Sequence, residues 1–191
     1  MAITRVKTSS VAQGPSTKKT LLGGNDVILG GSYDAIGTVV VGSGGQATIS
    51  FTSIPSTYKH LQIRGFFRTS SAAENKIEMN GITTTTSYYR HYLQGSGAGV
   101  GAGANNSNSM AGYYETNTNI FGTHIIDILD YADTSKIKVV RTLWGFDANG
   151  SGYVGLSSGA NASTSAINSI SLVPTAGSYT QYSQFDLYGI K

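Results

Sequence analysis

Three histidines are the first residues whose side chains could do chemistry: His60, His91 and His124. Imidazole groups bind metal ions and transfer protons near neutral pH, so a cluster of them would indicate a metal site or an acid–base site. Each histidine lies on a different predicted strand or strand edge, without a carboxylate or a second histidine at ligand spacing. The sequence therefore predicts structural or surface histidines and no metal site.

The segment 147–152 reads DANGSG and resembles the first half of a calcium-binding loop, with oxygen-bearing residues at its first, third and fifth positions. Such a loop carries a bidentate glutamate at position 12, where this chain has Ser158. Asp and Gly are also the residues that form tight turns. The segment favours a turn, with calcium binding at Asp147 as the alternative.

Catalytic constellations are not indicated. Asp127, Asp130 and Asp133 are three apart, a spacing that does not bring carboxylates together on a strand and turn, whereas a glycosidase needs two acids in one cleft. Serines are abundant, but none lies in a Gly-x-Ser-x-Gly turn between a strand and a helix. We expect a protein that is not an enzyme and needs no cofactor.

Tyrosine is the abundant aromatic residue, with 12 copies. Its flat ring and hydroxyl group suit sugar stacking and protein interfaces. Strand alternation sends about half of such residues into a core, so core packing is the alternative. The speculative receptor or glycan contacts are Tyr88, Tyr89, Tyr92, Asn105, Asn106, Tyr113 and Tyr114.

Composition indicates a neutral, hydrogen-bonding surface. Charged residues make up 12%, about half of the roughly 25% that is typical, and there are 25 glycines. There is no cysteine, so neither a disulfide nor a thiolate metal site is possible. The net charge of +3 comes mostly from the first twenty or so residues. We therefore expect no nucleic-acid binding by the folded body.

Two kinds of segment are missing from the sequence. We see no secretion signal and no apolar run long enough for a membrane helix. Membrane insertion is therefore not expected, and release from a cell would follow lysis.

The elements that position these residues are short strands. From residue 36 onwards, apolar stretches alternate with Gly, Ser, Asn and Thr turns, and no helical period is present. This pattern predicts an all-β fold, a jelly-roll-like antiparallel β-sandwich over residues 35–191. Local signals predict a hairpin at 42–46, a bulge at Gly65, a turn at Asn80-Gly81, and exposed loops at 95–108 and 157–165.

Residues 1–34 form a basic leader with no sustained apolar period. Such a segment cannot offset its ordering entropy alone, so we predict an extended arm that orders on a partner, with a disordered tail as the alternative. The candidate docking residues combine apolar anchors with basic groups: Ile3, Arg5, Val6, Lys7, Val11, Lys18, Lys19, Leu21 and Leu22.

Three segments resemble tailed-bacteriophage virion proteins, especially those of cyanophages and other aquatic phages. They read TRVKTSSV (4–11), VGSGGQATISFTSIPSTYKHLQIR (41–64) and INSISLVPTAGSYTQYSQFDLYGI (167–190). The resemblance covers most of the chain and carries no catalytic motif. It implies a virion protein assembled in the host cytoplasm, with other virion proteins of the tail, baseplate or capsid as partners.

The reading that this resemblance favours is a homotrimeric tail fibre or baseplate appendage subunit that attaches to host surface polysaccharide. A capsid decoration or cement protein and a carbohydrate-binding module are the alternatives.

Overall fold

The computed structural model describes residues 31–112 and 119–191, together with the backbone of two strands within residues 17–30. Strands account for 53% of the protein and helix for 2%, and the described strand pairs are antiparallel, so the predicted all-β antiparallel sandwich is confirmed. The described strands are β1 (Thr17–Leu22), β2 (Asn25–Gly30), β3 (Tyr33–Val40), β4 (Ile49–Phe51), β5 (His60–Phe67), β6 (Asn75–Met79), β7 (Tyr88–Gly95), β8 (Val100–Asn105), β9 (Gly122–Leu129), β10 (Lys138–Asp147), β11 (Gly152–Asn161), β12 (Ile170–Pro174) and β13 (Gln184–Ile190), with one 3₁₀ turn at Thr85–Ser87.

Two sheets make up the body. The large sheet has eight strands in the order β3-β13-β5-β9-β10-β11-β7-β8, and the small sheet has three in the order β4-β12-β6. Strands β1 and β2 form a separate two-stranded sheet inside the predicted arm. The arm residues before Thr17 lie outside the described residues, and the proposed boundary at residue 35 stays a prediction.

The hydrophobic core lies between the large and the small sheet. Alternate residues of each strand point into it, as the period of two requires. The large sheet contributes Leu61, Ile63, Phe67, Ile126, Ile128, Val140, Phe185 and Leu187, and the small sheet contributes Ile49, Phe51, Ile77, Met79, Ile170 and Leu172. Each buried side chain of this kind stabilises the fold by about 1.5–3 kcal/mol.

Gly65 does not form the predicted bulge. Strand β5 pairs in unbroken register with both neighbours through Gly65, so alternation continues. The position lacks a side chain because the imidazole of His124 fills that space: a Cβ on Gly65 would lie 2.2 Å from its Nε2. The prediction of a bulge was wrong because the sequence pattern does not reveal a side chain from a neighbouring strand.

The predicted hairpin at 42–46 is also wrong, because the strands on either side of it belong to different sheets. Strand β3 lies in the large sheet and β4 in the small one, so this link crosses between the two layers.

The turn predicted at Asn80-Gly81 is present. Asn80 and Gly81 both have positive φ, and Ile82 N donates to Met79 O at 3.0 Å. The predicted Asn-Gly turn is therefore confirmed.

Two segments predicted as exposed loops contain strand. Val100–Asn105 is the edge strand β8, and the first residues of the segment 157–165 belong to β11. Strand β8 contains only small residues apart from Val100 and Asn105, so its hydrogen bonds to β7 specify it more than side-chain packing does.

Buried cations brace the sandwich near its loops. Lys138 is 1% exposed, and its Nζ donates to the backbone oxygens of Asp133, Lys136 and Thr164. Arg90, which is 2% exposed, pairs with Glu74 at 2.8 Å. These contacts offset part of the cost of removing the charges from water, since Nε and Nη2 of Arg90 are buried without a hydrogen-bond partner among the described residues.

A search of the described residues for a helix with the length and apolarity needed to cross a membrane gave none.

Candidate functional site

The three histidines do not form one site. His124 is buried on the inner face of the large sheet, where its Nδ1 donates to Ala111 O at 3.2 Å. His91 is exposed on the outer face of β7, and His60 accepts a hydrogen bond from the backbone of Asp130 at 3.0 Å. Within the part of the chain that the structure describes, no three His, Cys, Asp or Glu side chains are grouped closely enough to hold a metal ion.

Burial lowers the pKa of His124 to about 4. An imidazole with this pKa is neutral at pH 7. Since a carbonyl oxygen can only accept, the Nδ1 contact to Ala111 places the proton on Nδ1 and leaves Nε2 facing Gly65.

The aspartates that follow one another at intervals of three serve separate structural roles. Asp127 lies on β9, whereas Asp130 and Asp133 lie in the next turn. Lys136 contacts both turn carboxylates, at 2.6 and 3.3 Å. Hydrogen bonds from Lys136 and then Lys59 lower the pKa of Asp130 to about 2. This is a surface ion-pair network that holds the turn.

Asp147 belongs to the turn between β10 and β11. Its Oδ1 accepts a hydrogen bond from the backbone of Asn149 at 2.9 Å, and Asn149 and Gly150 both have positive φ. Turn formation accounts for the residue types of this segment.

The predicted glycan contacts do not share one surface. Tyr88 is 0% exposed, its hydroxyl donating to Ile82 O and accepting from Met79 N, so it is a core residue and its assignment as a glycan contact is wrong. Tyr89 is 47% exposed on the outer face. Tyr92, two strand positions from Arg90, is half-buried on the opposite face, with the Arg90 guanidinium 4.4 Å from its ring centre.

The remaining sequence candidates are distributed as follows. Asn105 and Asn106 are exposed at the end of β8, while Tyr113 and Tyr114 lie outside the described residues. Of the arm candidates, Lys18, Lys19, Leu21 and Leu22 lie on β1, for which only the backbone is described. The other arm candidates, Ile3, Arg5, Val6, Lys7 and Val11, lie outside the described residues.

The outer face of the large sheet carries the feature that the sequence analysis missed. One register row crosses all eight strands, and its residues are Thr38, Asp186, Arg64, Ile125, Leu143, Leu156, Leu93 and Ala102. Its first three members are polar, and its last five are apolar. The boundary between the two halves lies between β5 and β9.

We call the apolar half the apolar band: Ile125, Leu143, Leu156, Leu93 and Ala102. Its four large side chains are 38–58% exposed. The neighbouring row adds Val154 at 60% and Val100 at 88%. Five strands about 4.8 Å apart and two rows deep cover on the order of 300 Å². Exposed patches of this size are often functional.

The polar half is an interlinked network. Arg64 Nε donates to Gln62 Oε1 at 2.8 Å, and Gln62 Nε2 donates to Asp127 Oδ1 at 2.8 Å. The Arg64 guanidinium lies 5.6 Å from the ring centre of Tyr33 and 5.4 Å from that of Tyr188. These contacts hold Arg64 in one orientation on an otherwise exposed surface.

A sequence signal for the band was present. Ile125-Ile126, Val139-Val140 and Leu143-Trp144 are adjacent apolar pairs, which put apolar side chains on both faces of a strand. Such pairs are typical of strands that are covered on both sides. Here the inner member of each pair is buried and the outer member is exposed.

No family model matches the chain, and no curated protein or solved structure matches it either.

Proposed function

We propose that this chain is a structural subunit of a phage virion, a tail fibre or baseplate appendage subunit. It docks through residues 1–34 and projects the β-sandwich for attachment to the host surface. The observation that carries its assembly role is the apolar band, since a patch of this kind on a sheet marks an interaction surface. The resemblance of residues 41–64 and 167–190 to phage virion proteins supports the location.

The band, apart from Ile125 at its edge, is the surface on which a second copy of the chain packs. A standard interface buries about 800 Å² per partner, more than the band alone provides. The adjoining row must therefore take part, and it carries both charge signs: Arg141 lies opposite Asp127 across β10 and β9. Around a ring of copies, Arg141 of one copy can pair with Asp127 of the next, as a heterologous interface allows.

A homotrimer is the proposed assembly, as in the appendages that the sequence resembles. Three copies would cover their bands and leave the arms free for other virion proteins. The low charge of the chain fits this arrangement, because charged residues are depleted at interface cores.

A capsid decoration or cement protein is the competing role. There the arm would clamp neighbouring capsid subunits, and the body would lie on the shell. A docking arm and a self-associating body suit both roles.

Immunogold electron microscopy of intact virions, with antibody against residues 35–191, tests the proposal. Gold at the tail tip or baseplate is the expected result. Gold spread over the head would replace the appendage role with the decoration role, and label on neither would overturn the virion assignment.

A further inference from the structure

We propose that the outer face binds a saccharide in a depression between β13, β5 and β9. This inference rests on the proposed role in host-surface attachment and names the ligand class and its site. The depression encloses about 460 Å³, and its outward side chains are Arg64, Phe66, Thr123, Ile125, Gln184 and Asp186.

Strand register arranges these side chains as a compact block. Asp186, Arg64 and Ile125 form one row, and Gln184, Phe66 and Thr123 form the next. Neighbouring strands are about 4.8 Å apart, so the block spans roughly 10 Å across the sheet. An aromatic ring is thus surrounded by hydrogen-bonding groups within reach of one small ring-shaped ligand.

Phe66 provides the apolar platform. Its side chain is 50% exposed, and its ring is stacked on Phe121 with centres 4.6 Å apart and planes 8° apart. The stacking fixes the orientation of the ring while part of its surface stays in water. An aromatic face of this kind suits the C–H face of a sugar, which is apolar although the rim of the sugar is polar.

Arg64 provides preoriented donors. Its Nε is held by Gln62, and its guanidinium lies over two tyrosine rings. Its side-chain hydrogen bond comes from Nε, so the donors of its two terminal nitrogens remain for a ligand. A ligand would bind without the cost of ordering this long side chain.

Acceptors line the other side. Asp186 accepts from Thr38 Oγ1 at 2.5 Å and from Gln184 Nε2 at 3.0 Å, which fixes its carboxylate. Each carboxylate oxygen has a further lone pair, and Thr123 adds an exposed hydroxyl group. Donors and acceptors at one rim match sugar hydroxyls, which both donate and accept.

The charge of the block selects against anionic ligands. Arg64 and Asp186 are cross-strand neighbours of opposite sign, so the block has no net charge. A phosphate or sulfate would need an excess of cationic groups. A neutral saccharide is therefore the ligand class that the depression fits.

The test uses the full chain on an array of bacterial capsular polysaccharides, O-antigens and the neutral hexoses and N-acetylhexosamines they contain. Titration calorimetry then measures the saccharide that binds most strongly. We expect Phe66→Ala and Arg64→Gln each to weaken binding at least tenfold. The matched control is Tyr153→Ala, which removes an aromatic ring that is 39% exposed on β11, a strand that does not border the depression, and it should change affinity less than twofold.

Circular dichroism confirms that each variant is folded, and Arg64→Gln keeps the test valid if Phe66→Ala is unstable. A silent array, a loss of binding with Tyr153→Ala alone, or binding of inorganic phosphate but no sugar would overturn the site. Tail label with a silent array would overturn this site and leave the virion role intact. Sugar binding without virion label would leave this site intact and overturn the virion role.

Discussion

Leu143 and Leu156 lie directly opposite each other on the outer face of β10 and β11, with 54% and 51% of their surfaces exposed. A cross-strand apolar pair stabilises a sheet by a few tenths of a kcal/mol up to about 1 kcal/mol. Ile125 and Leu93 continue the same row on either side. Covering the exposed surface of this row would therefore add more stability than its own cross-strand contacts do.

Placing a charge in the middle of the band should separate the copies without unfolding them. Leu143→Lys puts an ammonium group into the proposed interface, where an unpaired charge is costly. We expect the mass by multi-angle light scattering to fall from oligomer to monomer. The free energy of unfolding of the monomer should change by no more than about 0.5 kcal/mol, because the site is exposed.

Ser50→Lys is the matched control, because it adds the same charge at an exposed position of β4, on the outer face of the small sheet. It lies away from the band and its adjoining row and should leave the oligomer intact. A wild-type chain that is monomeric at high concentration, or a Leu143→Lys chain with unchanged mass, would contradict the self-association.

Stability should fall as the pH drops from 7 towards 4, because of His124. Its pKa is about 4 in the folded protein and 6.5 when exposed, so the unfolded chain binds a proton in this window and the folded chain does not. Stability is then lost as the pH falls from 6.5 to 4, by about 3 kcal/mol in total. Urea unfolding at pH 7.5 and 4.5 measures most of this loss.

His124→Leu removes the titrating group and should flatten that dependence, whatever its effect at pH 7. The carboxylates of Asp130 and Asp133, whose pKa values are lowered by hydrogen bonds, should not interfere. Their contribution is present above their ordinary pKa of 3.8 and is lost below it. An equally steep decline in His124→Leu and wild type would refute the assignment.

Gly65→Ala should destabilise the protein by about 1–3 kcal/mol through overpacking. The new methyl group would lie 2.2 Å from His124 Nε2 and 3.0 Å from Phe185 Cδ1. Gly42→Ala is the control, since a Cβ there meets nothing within 4 Å. Urea midpoints measure both.

Combining Gly65→Ala with His124→Ala tests the contact directly. The smaller side chain makes room for the methyl group, so the double variant should lose less stability than the two single changes added together. If the stability losses of the two single variants simply add in the double variant, the two residues do not compete for this space.

Lys138→Met should cost about 1–3 kcal/mol in unfolding free energy. The change keeps the length of the side chain but removes the donor shared by three backbone oxygens. The control is Lys59→Met, whose side chain is 64% exposed and whose ion pair with Asp130 should be worth less than about 1 kcal/mol. Similar losses in both variants would contradict the role of the buried ammonium group.

Local patterns in the sequence were sufficient for the fold class and for some turns. The alternation that places Leu61 and Ile63 on one face predicts a strand from neighbouring residues alone. The Asn80-Gly81 dipeptide predicts a turn in the same local way. The hairpin at 42–46 failed because the partner of each strand is chosen by distant pairing: β3 pairs with β13 and β4 with β12. The apolar period of a strand does not indicate which other strand it pairs with.

The candidate site was harder to predict for the same reason. Tyr88 and Tyr89 are the same residue type and point to opposite faces of one strand. Which of them is buried depends on which face of the sheet is covered, and that face is set by the rest of the fold. The row from Arg64 to Leu93 joins five separate strands, so its polar and apolar halves exist only after the sheet is assembled.

The position of β13 has a consequence for synthesis on the ribosome. Thr38 and Asp186, which pair on β3 and β13, are 148 positions apart, and β13 separates β3 from β5 in the sheet. The strand that follows the arm therefore has no neighbour in the large sheet until β13 has emerged from the ribosome. We expect nascent chains to fold late, as non-local strand pairing dictates. An interrupted translation product would then expose an open sheet, which proteases should degrade faster than the completed fold.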